Sequence, residues 1–552
     1  MLKKLARNFA QRIKACKSED LQPGQMMSVK VGEADHALAL YNVNGKFFAT
    51  GGKCSHVGAP LSWGYLMDKE VYCPFHLARF EVTSGEKVTS PANQGIPSYP
   101  VILEGGEVFI EVPEGVNDPS AYINSKKLQK PDWSDKRHFV IVGGGASGFT
   151  CAETLRREGF MGRITMLTKE NWLPYDRTVM SKNFKADMQS ALMQPSEFYE
   201  EYGIEVKKNC QVTGVNSNEM QVETSTGEVL NFDKLMVGTG ASARVPEVYQ
   251  KYLGCENVFT LRKADDHPKV KQVLSEAENI VIIGGSFLGF EAATSIRKAN
   301  PDKKVTVVEM DEVPLGRVMG KEIGAQLTEL QRVHNNKVLT GKPVESFEVS
   351  GNRVQSVKVG NENIKADFVL ISTGAQIETS FMPRNLVNYD QSIPVSSLLQ
   401  TDHPHIYAAG DVASFPVVHS KTTNRIEHWA LAQDHGMHAA YNMLGKGIHF
   451  SSVPFFWSNQ FVNIQYAGVG GGDFTFSEVK NEGDLLKEAR ITYFYKGERC
   501  IGAATCNWPG AVTHLRIAME KGLIPSKSQL AYGIRYSTIV EDLELVKHCS
   551  CS

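Results

Sequence analysis

The stretch "HFVIVGGGASGFTCAETLRREG" (138–159) recurs in outline as "NIVIIGGSFLGFEAATSIRKAN" (279–300). Each copy is an apolar run, a glycine-rich turn and a helix-periodic segment, in that order. This dictates strand, tight turn and helix, and two copies imply two α/β units built on parallel sheets. Gly143, Gly145 and Gly148 mark the first turn; Gly284, Ser286 and Gly289 mark the second. Glycines let the backbone approach a pyrophosphate, the helix N-terminus attracts its charge, and an acid about twenty residues on takes ribose hydroxyls. Glu170, closing "ITMLTKE", and Glu309, in "VTVVEMDE", stand at that distance. Glu309 would repel a 2'-phosphate, which favours NADH over NADPH. Two dinucleotide sites in one chain imply a permanently bound flavin and an exchangeable nicotinamide.

At 552 residues, 42% of them apolar, the chain is long enough for three or four cores. Its 59 basic and 61 acidic side chains nearly cancel, so neither nucleic acid nor an anionic membrane is an expected partner. No uninterrupted apolar run approaches the length of a membrane span. Ten cysteines over this length do not make a disulfide framework, and a reducing compartment, cytoplasmic or mitochondrial, is expected. At the N-terminus Leu2, Leu5, Phe9 and Ile13 fall at helical spacing among basic residues. That pattern suits a mitochondrial address or a solvated amphipathic helix.

Residues 26–112 read differently, as short strands with an Asn44-Gly45 turn. Within them lie Cys54-x-His56 and Cys73-x-x-His76. Zinc sites usually pair cysteine with cysteine and histidine with histidine, whereas here each half supplies one of each. A Rieske [2Fe-2S] centre needs two thiolates on one iron and two imidazoles on the other. Cys54 and Cys73 are therefore assigned to one iron, and His56 and His76 to its partner. Their flanks, "CSHVGAPL" and "CPFHLARF", resemble the two loops of the Rieske family. The resemblance also says what is different: Ala59 and Phe75 stand where high-potential members carry a bridging cysteine pair, and Leu77 stands where a glycine is usual. A Rieske-ferredoxin type of lower potential is implied.

Further motifs carry a second resemblance. "LPYDRTVMSK", "VGTGA", "ISTGA", "IYAAGDVA", "IEHWALAQDHG" and "FWSNQF" resemble the flavin-dependent NADH reductases of the ferredoxin-reductase and apoptosis-inducing-factor group. With the N-terminal metal loops, the whole chain is similar to the apoptosis-inducing factor 3-like proteins of that group. The resemblance implies that Arg177 and Lys182 lie along FAD and that Asp411 holds its ribityl chain. It places Glu427 and His428 where flavin meets nicotinamide, Trp457 as a cover, and Glu291 as the partner of Lys182. The redox Cys-x4-Cys of disulfide reductases is missing after the first glycine helix, where "RTVMSKN" stands instead, and Cys151 reads as helix packing.

The expected architecture is multidomain. An all-β Rieske domain (13–112) and a linker (113–137) precede two Rossmann-like α/β nucleotide-binding domains, and a C-terminal α+β domain (450–552) follows. FAD would be bound by 138–263 with 378–449, and NAD by 264–377. The expected function is an FAD-dependent NADH oxidoreductase passing electrons to the [2Fe-2S] cluster and on to an unidentified acceptor of the redox-protein kind. The chain would work as a monomer or homodimer. The alternative is a redox-sensing, pro-apoptotic signalling protein whose cofactors are structural or regulatory. A Rieske hydroxylase is disfavoured, because no 2-His-1-carboxylate iron domain is apparent.

Overall fold

The computed structural model describes residues 10–92, 94–114, 118, 120, 128–508 and 510–549. The chain forms two compact units, one of residues 1–127, 498–500 and 508–552, the other of 128–497 and 501–507.

In the first unit, strand β1 (Ala10–Lys17) is followed by an antiparallel meander of β2 (Met26–Val31), β3 (Ala34–Val43) and β4 (Lys46–Gly51). Asn44 and Gly45 join β3 to β4 with φ of 52° and 81°, the doubly left-handed turn that this dipeptide favours. A small sheet of β5 (Tyr65–Met67), β6 (Glu70–Tyr72) and β7 (Arg79–Glu81) comes next. Then β8 (Ser98–Tyr99) adds to β4, while β9 (Val101–Glu104) and β10 (Glu107–Pro113) complete a sheet with β1. Strand β3 is buried on both faces: Ala39, Tyr41 and Val43 share a core with Cys54, Cys73 and Phe80, and Leu38 and Leu40 share another with Val108 and Ile110. Ile13 lies inside β1, so the helical spacing read at the N-terminus does not run through it; Leu2, Leu5 and Phe9 fall outside the described residues.

The second unit holds the repeated motif. Strand β11 (His138–Val142) leads through the first glycine turn into helix α1 (Ala146–Arg157), followed by β12 (Arg163–Leu167), the short α2 (Val179–Lys182), β13 (Ile204–Lys207) and β14 (Lys234–Val237). The second copy comprises β15 (Val258–Phe259), β16 (Asn279–Ile283), helix α3 (Phe287–Ala299), β17 (Lys304–Val308), β18 (Lys337–Leu339) and β19 (Phe368–Ile371). With β20 (Ile406–Ala408), the first sheet runs β13-β12-β11-β14-β20; the second runs β15-β19-β16-β17-β18. Every pairing in both is parallel, and the central strands β11 and β16 are apolar and buried after their first residue because they are covered on both faces. Helix α4 (Trp429–Met443) packs on α1, with Cys151 Sγ 3.8 Å from Met443 Sδ.

An antiparallel sheet follows, of β21 (Phe455–Gln460), β22 (Val462–Gly468), β23 (Phe474–Lys480), β24 (Ala489–Lys496) and β25 (Arg499–Cys506), ordered β21-β22-β25-β24-β23. Helices α5 (Ala511–Lys521) and α6 (Tyr536–Cys549) end the chain. Within the segment 450–552, expected as one α+β domain, residues 450–497 and 501–507 fall in the nucleotide-binding unit, and 498–500 with the described residues from 508 on fall in the unit of the N-terminal β-domain. No helix among the described residues is long and apolar enough to cross a membrane.

Candidate active site and metal centre

The two glycine turns are sterically obligatory at their ends. A Cβ on Gly143, whose φ is +117°, would lie 2.2 Å from the Gly238 carbonyl oxygen, and one on Gly148 would lie 1.9 Å from that of Gly143. Gly145 is the opposite case, since a Cβ there would meet no atom within 4 Å. It is also the N-cap of α1 and supplies no capping side chain. The first turn of α1 therefore has no capping side chain and has open space beside Gly145, a cradle that fits the pyrophosphate of FAD.

Beyond this loop the sequence-predicted residues converge. The Glu170 carboxylate accepts from Tyr175 Oη at 2.6 Å and from Arg177 Nη2 at 3.1 Å. Arg177 Nη1 donates to the Arg262 carbonyl at 2.8 Å, and Arg262 Nη2 stands 3.6 Å from Asp411 Oδ2. Arg425 Nη1 then joins the Asp411 carbonyl, at 3.1 Å, to Glu427 Oε1, at 2.5 Å. Burial raises the Asp411 carboxyl pKa against the pull of Arg262, and burial lowers that of His428 to about 3, so this imidazole is neutral. Three buried polar atoms along this line, Thr239 Oγ1, Arg262 Nε and His428 Nδ1, have no hydrogen-bond partner among the described residues. Orphans of this kind are costly unless a bound group satisfies them, and the polar edges of a flavin would.

Lys182 and Glu291 meet as expected, 3.4 Å apart. Glu291 is 7% exposed and its carboxylate is shared by two segments. Oε2 accepts from Lys182 and from Ser181 Oγ at 3.0 Å, and Oε1 accepts from Ser458 Oγ on β21 at 2.8 Å. Trp457, one residue earlier, is half-buried and stacks on Phe455 with ring centroids 6.0 Å apart. Arg262, Ser181 and Ser458 were not legible in the sequence. Ser181 and Ser458 lie inside "LPYDRTVMSK" and "FWSNQF", but those motifs do not say what the two hydroxyls meet, and only the fold brings the three residues to Asp411 and Glu291.

The second loop repeats the steric logic. A Cβ on Gly284 would lie 2.3 Å from the Ser372 oxygen, and one on Gly289 would lie 2.1 Å from the Gly284 oxygen. Ser286 has a use that glycine could not serve: its hydroxyl caps α3 by accepting from the Gly289 amide at 3.1 Å, and it sits 2.7 Å from Ser372 Oγ. Glu309 reaches back to the loop, accepting from the Gly285 amide at 2.6 Å and the Asp311 amide at 2.9 Å. A carboxylate held there fits a ribose diol and opposes a phosphate. Glu309→Gln should narrow the ratio of kcat/KM for NADH over NADPH by about tenfold, roughly 1.4 kcal/mol. An unchanged ratio would remove Glu309 from nucleotide selection.

In the N-terminal domain the two metal loops are built alike. The Cys54 amide donates to the Ala59 oxygen at 2.8 Å and the Gly58 amide returns to the Cys54 oxygen at 2.9 Å. The Cys73 amide donates to the Ala78 oxygen at 2.9 Å and the Leu77 amide returns to the Cys73 oxygen at 3.2 Å. Gly58 and Leu77 are thus equivalent positions, and both are left-handed, with φ of 76° and 59°. Leu77 accepts a strain of about 1–2 kcal/mol that a glycine would avoid. Cys54 and Cys73 are fully buried and their side chains are hydrogen-bonded to each other. His56 and His76 are half-exposed, with Nδ1 atoms 3.0 Å apart. A sulfur pair inside and a nitrogen pair outside is the donor set that a [2Fe-2S] cluster with mixed ligands requires. Cys151 is not a candidate nucleophile, since burial raises its thiol pKa.

Residues 137–436 match the pyridine nucleotide-disulphide oxidoreductase family, and residues 11–100 match the Rieske [2Fe-2S] domain. The sequence is 32% identical to apoptosis-inducing factor 3 of Homo sapiens over 95% of this chain and 86% of that protein. It is 28% identical to the ferredoxin--NAD(+) reductase component of the p-cumate 2,3-dioxygenase system of Pseudomonas putida, over 68% of this chain and 91% of that one. Among solved structures it is similar to the covalent putidaredoxin reductase-putidaredoxin complex, with a TM-score of 0.66 at 25% identity over 74% of this chain and 99% of that chain. It is also similar to the ferredoxin reductase for the CYP199A2 system from Rhodopseudomonas palustris, with a TM-score of 0.61 at 26% identity over 67% of this chain and 91% of that chain.

Proposed function

The chain belongs to the pyridine nucleotide-disulphide oxidoreductase family and carries a Rieske [2Fe-2S] domain, and from that premise we propose that it conveys electrons from NADH, through FAD and the cluster, to a redox protein. The observation that carries this reading is the presence in one chain of the inner thiol pair with its outer imidazole pair and of two glycine cradles with their ribose acids. NADH gives up two electrons as a hydride whereas an iron-sulfur cluster changes by one, and bound FAD supplies the exchange between the two. The chain's own residues divide the remaining work. The open amides of α1 take the flavin pyrophosphate, Glu170 takes its ribose, and Asp411, fixed by Arg262, takes the ribityl chain. Glu291 holds Lys182 oriented toward the ring, where a cation favours the reduced form. His428 stays neutral beside Glu427, and Trp457 covers the site. Gly284, Ser286, Gly289 and Glu309 receive NADH. Cys54 and Cys73 hold one iron, His56 and His76 the other.

Relatives that are named as ferredoxin reductases support a protein acceptor. In anaerobic stopped-flow mixing with NADH, flavin absorbance should fall before the cluster bleaches. A cluster that stays oxidised while the flavin is fully reduced would reject the relay. That result, with no turnover on any acceptor, would favour the signalling alternative, which the name of the human relative raises.

A further inference from the structure

Residues 508–549 follow strand β25 and lie outside both family matches, yet they share a compact unit with the N-terminal β-domain. Their seat is the β5-β6-β7 sheet, from which the Cys73 loop springs. His514 on α5 meets Tyr65 of β5 edge to face, with centroids 4.8 Å apart, and its Nδ1 lies 2.6 Å from Tyr536 Oη on α6. Lys521 Nζ stands 3.2 Å from Asp68 Oδ2 in the β5-β6 turn. The Glu544 carboxylate of α6 lies beside the Tyr65 hydroxyl.

Under these contacts runs a line of charge. Arg79 on β7 pairs with Glu70 at 3.2 Å and donates to Tyr72 Oη at 3.4 Å. Glu520 of α5, held by Arg516 Nε at 3.1 Å, acts electrostatically on Arg79, Glu70 and Tyr72. Glu520 is thus the second carboxylate, beside Glu70, that acts on Arg79. Tyr72 is the residue before Cys73. Strands of three residues do not stand alone in water, so a sheet this small needs a cover, and Tyr65 and Tyr72 are only 6% and 5% exposed.

We propose that residues 508–549 are a clamp on the cluster-bearing sheet and that Glu520 is a positioning residue, which completes the charge balance of Arg79 and so fixes the Cys73 loop and its electrostatic environment. The proposal rests on the reading that Cys54, His56, Cys73 and His76 hold the cluster. Without Glu520, Arg79 loses one of the two carboxylates that act on it, and the added positive charge beside Tyr72 favours the reduced, more negative cluster.

The test uses the full chain as the parent and as Glu520→Gln, Glu520→Asp and His514→Ala. Hydrogen exchange at residues 65–72 should quicken by about tenfold or more in Glu520→Gln and His514→Ala, and stay unchanged at 138–167. A redox titration followed by the electron paramagnetic signal of the reduced cluster should show a higher midpoint for Glu520→Gln and a parental one for Glu520→Asp. Parental exchange in both Glu520→Gln and His514→Ala overturns the clamp. A parental midpoint in Glu520→Gln overturns the role of Glu520. Exchange reads the seat whether or not iron is bound, so a parent chain with no cluster signal would count against the ligand assignment and not against the clamp.

Discussion

Replacing Cys73 with serine should give a chain that still binds FAD and is still bleached by NADH, yet reduces a one-electron protein acceptor at least about a hundredfold more slowly than its parent. Loss of a mere outer-shell partner commonly costs a metal site 10- to 100-fold, and Cys73 is a proposed direct ligand. Its side chain is fully buried against Cys54, so no other thiolate can take its place, and a serine hydroxyl is too hard and too basic for the task. The selectivity follows from the cores. Cys73 packs with Ala39, Tyr41, Leu61 and Phe80, whereas the core of the nucleotide-binding unit begins at Phe139. No buried cluster residue is shared between them, so damage to one leaves the other able to fold. His76→Ala should act in the same direction by removing a ligand of the outer iron. Parental acceptor rates in an iron-free Cys73→Ser chain would show that the cluster is not the exit.

What the sequence made legible was what sterics and ligand chemistry write locally. Gly143 and Gly148 had to be glycine because carbonyl oxygens occupy the space of their Cβ atoms, and that need leaves a fixed spacing in the chain. The Cys/His pairs were readable for the same reason, since two tight loops place their ligands at fixed offsets. Ser286 stands where the first loop has Gly145, and its hydroxyl caps α3. Leu77 looked foreign, and the structure keeps it in the left-handed conformation that Gly58 adopts in the sister loop. Long-range convergence leaves no such trace. Arg262 meets Asp411, and Ser181 and Ser458 meet Glu291, only through tertiary folding. The seat of α5 and α6 is of the same kind: helical periodicity says that a face will be buried but not against which core, and their partners lie at Tyr65 and Asp68, far away in the chain.

The contrast between Gly145 and Gly148 sets the remaining test. Gly145 has φ of −90° and ψ of −163°, backbone that any residue adopts, and its Cβ would point into open space. Gly145→Val should therefore fold with the thermal stability of the FAD-free parent. The branched side chain would, however, fill the cradle beside the α1 amides, and overpacking there costs about 3 kcal/mol, so FAD affinity should fall at least about a hundredfold. Gly148→Ala has no such choice, because its Cβ would be 1.9 Å from the Gly143 oxygen and α1 must move off its strand. That variant should lose stability as well as flavin, by roughly 1–3 kcal/mol. Both chains should keep the visible absorption of the cluster, since the ligands of the iron sit on a separate core. Flavin content, melting temperature and cluster absorbance, measured on the same preparations, separate the outcomes. If Gly145→Val purifies with parental FAD and is bleached by NADH at the parental rate, the first glycine loop does not hold the flavin, and the order of the two nucleotide sites must be reversed.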